Sequence, residues 1–229
     1  MGYVNNAETV AGKNIVAPIF VTVGQNTIAL SSIRLTKEDG SDCTTGANAF
    51  NTITDQGAVG VQYTWTSYGR NASKRWNWSC NNVEITSEND IYLPQGASLV
   101  FSAEAAGVTI KTSGEVQISD SWTFSNSVAG KNLIANPYAT VQKLSKIRLT
   151  KADGSDCTTG ANALNTITDQ GAVGVQYTWT SYGRNASKRW NWSCNNVEIT
   201  DANDIDIPAG AGLVFSSEAD GVKMTFNQK

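Results

Sequence analysis

Hydrophobic and polar positions alternate with a period of two along much of the chain. Val61, Tyr63 and Trp65 fall on one side of such an alternation, with Gln62, Thr64 and Thr66 on the other. Trp76, Trp78 and Cys80 alternate in the same way with Arg75, Asn77 and Ser79. A period of two belongs to an extended strand, whose successive side chains point to opposite faces. The two runs therefore predict a hairpin across the loop at 67–74. Further short strands are predicted at 33–36, 91–93, 99–101 and 108–111. Turn signals separate them at Asp39-Gly40, Gln56-Gly57, Tyr68-Gly69, Pro94-Gln95-Gly96 and Ala106-Gly107. No convincing helical stripe is present, and 45–54 is expected to supply one helical turn at most. Short strands at regular spacing predict an all-β chain of β-sandwich or barrel-like units.

The pattern is written twice. Residues 33–86 recur as 147–200 at an offset of 114, with 52 of 54 positions identical. The exceptions are Glu38 against Ala152 and Phe50 against Leu164. Ala11-Gly12-Lys13-Asn14 returns as Ala129-Gly130-Lys131-Asn132 at an offset of 118, so the second copy lacks four residues between this motif and the long match. Downstream, Leu93-Pro94-Gln95-Gly96-Ala97 answers to Ile207-Pro208-Ala209-Gly210-Ala211. The expected organisation is two tandem, near-identical domains, 1–117 and 118–229, joined tightly near 116–121.

Composition narrows the function. The 229 residues include no histidine, which removes Ser-His-Asp and Cys-His chemistry and most catalytic zinc sites. A net charge of −3, with 17 basic residues scattered along the chain, argues against a nucleic-acid partner. No apolar run approaches the ~20 residues of a membrane-spanning helix, so membrane insertion is not expected. No export signal is visible near the start. Carboxylate pairs for glycoside hydrolysis are present by residue type alone, and nothing marks any pair as perturbed. The expectation is no enzyme, no cofactor and no metal.

Each copy holds two cysteines, Cys43 with Cys80 and Cys157 with Cys194. A reactive thiol or a metal ligand is one reading. The reading preferred is one disulfide inside each unit, worth ~3–4 kcal/mol if chain entropy governs. Disulfides imply an oxidising location, extracellular or at the cell surface, with the export signal removed or outside this sequence. Period-two placement puts Trp76 and Trp78 on one face, as core residues rather than ligand platforms. The hairpin loop offers Tyr68 and Arg70, repeated as Tyr182 and Arg184, as the candidate glycan contact. The N-x-S sequons at Asn71, Asn77, Asn185 and Asn191 are read as chance in an Asn- and Ser-rich chain. The acidic clusters at 39–42 and 201–206 are read as solvated turns, since calcium needs six to eight oxygens.

Several short motifs add a resemblance. Ala129-Gly130-Lys131-Asn132-Leu133-Ile134-Ala135-Asn136-Pro137 resembles the AGxNLIANP opening of secreted bacterial tandem β-repeat proteins. Gly2-Tyr3-Val4, Tyr177-Thr178-Trp179, the turn at 207–212 and Ser113-Gly114-Glu115-Val116 fit the same unit pattern. The first copy departs from it with Val16-Ala17-Pro18. The resemblance implies export and β structure and carries no activity.

The leading expectation is an extracellular structural protein, the subunit of a surface filament. Growth would be head to tail, through a heterologous contact between like lobes and through terminal strands. The residues expected to assemble are Gly2, Tyr3, Val4, Trp122, Phe124, Met224 and Phe226. The alternative is a bivalent, lectin-like glycan-binding module.

Overall fold

The computed structural model describes residues 3–8, 11–17, 20–21, 27–44, 46–53, 59–167 and 173–228. It is all-β, and no described helix is longer than a single three-residue turn. In the first half β1 (Tyr3–Glu8), β2 (Gly12–Val16), β3 (Phe20–Val21) and β4 (Thr27–Ala29) precede β5 (Arg34–Thr36) and β6 (Ala49–Ile53). The hairpin β7 (Val59–Tyr68) and β8 (Arg75–Cys80) leads to β9 (Val83–Glu84), β10 (Tyr92–Pro94), β11 (Leu99–Ala103) and β12 (Thr109–Val116). The second half opens with β13 (Ser121–Phe124), β14 (Gly130–Ala135), β15 (Gln142–Lys143), β16 (Ile147–Thr150) and β17 (Ala163–Ile167). It continues with the hairpin β18 (Val173–Tyr182) and β19 (Arg189–Cys194), then β20 (Val197–Glu198) and β21 (Asp206–Ile207). It closes with β22 (Gly212–Ser217) and β23 (Lys223–Asn227). Among the described residues of the second half, no strand answers to β3.

Each half repeats one arrangement. A six-stranded sheet, β2-β11-β6-β7-β8-β9 or β14-β22-β17-β18-β19-β20, faces a smaller sheet built on β12 or β23. Every ladder between named strands joins strands of the same half. Alternation puts Trp78 opposite Trp65 on the inner face of the hairpin, rings 5.0 Å apart and edge-on. Trp192 and Trp179 repeat this at 5.2 Å. The indole N–H of Trp78 donates to the Ile33 carbonyl and that of Trp192 to Ile147, both at 2.9 Å. These bonds tie the large sheet to the strand that begins the long match. Gly40, Gly69, Gly96 and Gly107 all take positive φ, as four of the turn signals require. Gln56 and Gly57 lie outside the described residues.

The segment expected to hold a helical turn contains β6, a central strand of the large sheet. Its counterpart β17 shows the reason. Ala163, Leu164 and Asn165 are buried in succession, so both faces are covered and the alternation disappears.

The cysteines also differ from expectation. All four are free thiols. Cys43 and Cys157 are wholly buried, while Cys80 and Cys194 pack on the edge of the same cores. Cys43 is fixed from two sides. Its N–H donates to the Leu35 carbonyl at 3.1 Å, and its own carbonyl accepts the Trp65 indole at 2.9 Å. Cys80 sits across the sheet, opposite Tyr63 and Val83. The thiols act as small apolar fillers, and the argument from disulfides to an oxidising compartment loses its premise.

A thiol titration of non-reduced protein in denaturant is therefore expected to find four reactive groups, where two disulfides would leave none. In the folded chain Cys43 and Cys157 should be the slow pair. Burial, with Glu218 adding to it, pushes the Cys157 thiol from about 9 up to about 11. The folded state then holds this proton more tightly than the unfolded chain. Stability is retained below pH 9 and falls as pH rises toward 11, by about 1–2 kcal/mol.

The halves meet through like elements. The turn after β10 lies on β14: the Ala135 N–H donates to the Gly96 carbonyl at 2.9 Å, and Ala97 forms a bridge with Ile134. Gln95 Nε2 donates to the Pro137 carbonyl at 3.2 Å and Ser98 Oγ to the Ile134 carbonyl at 2.5 Å. On the reciprocal side β2 approaches β22. Because β2 matches β14 and β11 matches β22, each repeat presents the same region to the other. A contact between like regions closes on itself, whereas the heterologous contact expected from the sequence would propagate.

Candidate functional site

The residues expected to drive assembly are mostly inside the fold. Met224 and Phe226 are fully buried, on a strand flanked by β13 and β16. Trp122 and Phe124 are half-buried against the second core. Tyr3 and Val4 pair with Gly114 and Ser113, and Gly2 lies outside the described residues. The registers place Asn5 as the counterpart of Trp122: Asn5 faces Thr112, and Trp122 faces Phe226.

The loop expected to touch glycans is also not a single surface. The Tyr68 and Tyr182 hydroxyls are buried without a hydrogen-bond partner, and Arg75 lies 5.9 Å from the Tyr68 ring. Arg70 and Arg184 are exposed, and their carbonyls accept the hydroxyls of Ser73 and Ser187 at 2.8 Å.

A groove opens instead at the neighbouring end of the hairpin. In the second repeat it has a volume of about 750 Å³. Trp190 is half-buried, one part packed on the core and the rest lining the groove. Lys188, from the hairpin turn, holds its ammonium 5.7 Å from the Trp190 ring centre. Arg148 enters from β16, and Asp156 from the segment bridged to Thr150. The Asn191 carboxamide orients Arg148. Its oxygen accepts Arg148 Nη1 at 3.1 Å, while its nitrogen donates to the Ile199 carbonyl at 2.7 Å and to Glu198 at 3.2 Å. Arg189 pairs with Glu198 at 2.7 Å.

The first repeat carries the same residue types and the same internal bonds. Arg34 Nη1 donates to Asn77 at 3.3 Å, Arg75 pairs with Glu84 at 2.6 Å, and Lys74 lies 5.7 Å from the Trp76 ring. The molecule thus holds two copies of one constellation: an aromatic face ringed by a guanidinium, an ammonium, an amide and a carboxylate. Such a set can stack on the C–H face of a sugar while giving hydrogen bonds to, and taking them from, its hydroxyls.

The sequence placed Lys74 and Lys188 on the relevant turn, put Asp42 in a solvated acidic turn, and gave no role to Arg34, Arg148 or Asp156. No signal would have found them, because a duplication identical at 52 of 54 positions ranks no residue above another. The acidic stretch 201–206 disperses: Asp204 accepts the Ser145 N–H, Asp206 pairs with Lys143, and Asp201 lies 3.4 Å from Lys146. No cluster fit to hold a metal occurs among the described residues. No described helix is long and apolar enough to cross a membrane.

Comparison with protein-family models, curated proteins and solved structures finds no match to this chain. The functional reading therefore rests on the grooves.

Proposed function

We propose that the protein is a bivalent glycan-binding module, working at a cell surface or outside the cell, with one site per repeat at Trp76 and Trp190. The observation that carries this reading is the Trp190 groove, whose ring and fixed polar fork stand in identical form in the first repeat. Two sites in one chain convert a weak single contact into a much stronger one on a polymer, through effective concentration. A head-to-tail filament is the competing proposal. It would have to use the outer edges of β1 or β13, since β23 is flanked on both sides.

A glycan array followed by calorimetry tests the reading. The native chain should bind at least one class of glycan, and Trp76→Ala combined with Trp190→Ala should abolish that binding. Far-UV circular dichroism checks that the variant keeps its strands. Retention of full binding by a folded double variant, or silence of the native chain on every glycan, would overturn the proposal. Light scattering on the same samples reads the filament alternative.

A further inference from the structure

Arg148 lines more than the Trp190 groove. A second hollow of about 360 Å³ adjoins it, bounded by Arg148 together with Asp120, Ser121, Lys146 and Asn227. Arg148 lines both hollows, and we read the two as one cleft that shares this residue. The second hollow is built from the end of the three-stranded sheet. Ser121 and Asn227 face each other across β13 and β23, and Asn227 Nδ2 donates to the Lys146 carbonyl at 2.8 Å. Lys146 extends outward, 3.4 Å from Asp201.

Charge along the cleft is locally balanced. Arg189 is matched by Glu198 and Lys146 by Asp201, and Asp156 and Asp120 stand on the walls beside Arg148 and Lys188. Paired donors and acceptors without a net field suit hydroxyl groups, which both give and take hydrogen bonds. They do not favour a charged sugar. A ring with equatorial hydroxyls keeps two flat C–H faces free for Trp190.

The residue types that bound the second hollow are mostly not repeated in the first half. At the matching positions the first repeat has Ser32 for Lys146 and Ser113 for Asn227. By register, Val4 replaces Ser121 and Tyr3 replaces Asp120. Of the residues that bound this hollow, Arg148 alone is repeated, as Arg34.

Resting on the glycan-binding reading, we infer that the two sites are unequal: the second repeat holds a longer stretch of a neutral, β-linked pyranose chain across two subsites, and the first holds a shorter one. The second repeat would grip the chain and the first would add a short contact.

Calorimetry on full-length, single-groove variants tests this, with cellobiose and cellohexaose as probes. Trp76→Ala leaves the second site, and Trp190→Ala leaves the first. The Trp76→Ala chain should bind cellohexaose about tenfold more tightly than cellobiose, while the Trp190→Ala chain should show little difference. Adding Lys146→Ser, an exposed change, to the Trp76→Ala chain should remove the gain and spare cellobiose binding. Equal length dependence in the two variants, or a gain that survives Lys146→Ser, would overturn the asymmetry and leave the glycan-binding reading standing. Tighter binding of hexameric galacturonate than of cellohexaose would overturn the neutral class. If the native chain binds neither probe but binds another glycan on the array, this inference fails alone. If it binds no glycan, both fail.

Discussion

Trp192→Ala is expected to unfold the second repeat at or near room temperature. The side chain is fully buried, packed edge-on against Trp179 at 5.2 Å. Truncating a buried tryptophan costs about 3–5 kcal/mol in transfer and cavity terms. The loss here goes further, because the indole N–H satisfies the Ile147 carbonyl at 2.9 Å. An acceptor left unpaired in the core adds about 1–3 kcal/mol. Against a typical total of about 5–15 kcal/mol, that sum removes most of the margin. Trp192→Phe keeps the ring and loses only the donor, so it should fall between Ala and the native chain.

The location of the damage is as informative as its size. Among the described residues, the buried cluster around Trp192 draws on residues from Ile134 to Phe226, and the one around Trp78 on residues from Ile28 to Ile110. Calorimetry of Trp192→Ala should therefore show an early transition for one half, with the other half melting later. Trp78→Ala should show the mirror result. A single transition for both variants would mean that the repeats fold as one cooperative unit and that the expected 1–117 and 118–229 domains are not independent. A loss below about 1 kcal/mol for either variant would contradict the burial described above.

The hairpin at Trp65 and Trp78 was legible because one of its faces is apolar and the other polar, and period-two patterning reports that difference. The strand β17 was not, because Leu164 and Asn165 are buried on opposite faces. Asn162, also fully buried, accepts the Glu218 N–H at 3.1 Å while its own carbonyl accepts the Trp179 N–H. A buried asparagine reads in sequence as a loop residue. Cysteine spacing carried no information on approach or direction, which decide whether a disulfide forms. The groove was hidden for a related reason. Arg148 and Asn191 are 43 residues apart, and only the packing of β16 beside the hairpin end brings them together. Local pattern reports strands; a site assembled from two sheets needs the fold.

Gly96→Ala is expected to loosen the joint between the repeats and to disturb the Trp122 edge of the second core. Gly96 has φ +75°, and an added methyl would stand 2.3 Å from Cη2 and 2.7 Å from Cζ2 of Trp122. The Trp122 ring packs 6.0 Å from Phe226, which is fully buried, so it can yield only by leaving that contact. Backbone strain alone costs about 1–2 kcal/mol for a residue other than glycine in the left-handed region, and overpacking adds about 1–3 kcal/mol. Gly154→Ala is the matched control: φ is +86° and nothing lies within 4 Å of the new methyl, so it carries strain alone. The difference between the two variants isolates the Trp122 contact. Limited proteolysis near 116–121 should be faster in Gly96→Ala than in Gly154→Ala, and small-angle scattering should report a larger radius of gyration. The effect on function follows from bivalency. On the glycan-binding proposal, the Gly96 turn would set the separation of the Trp76 and Trp190 sites, and effective concentration is greatest when that separation matches the polymer. Gly96→Ala should therefore weaken binding to an immobilised polysaccharide while leaving the affinity of each groove for a short oligosaccharide unchanged. Equal proteolysis and equal avidity in the two variants would show that the joint does not set the spacing of the sites.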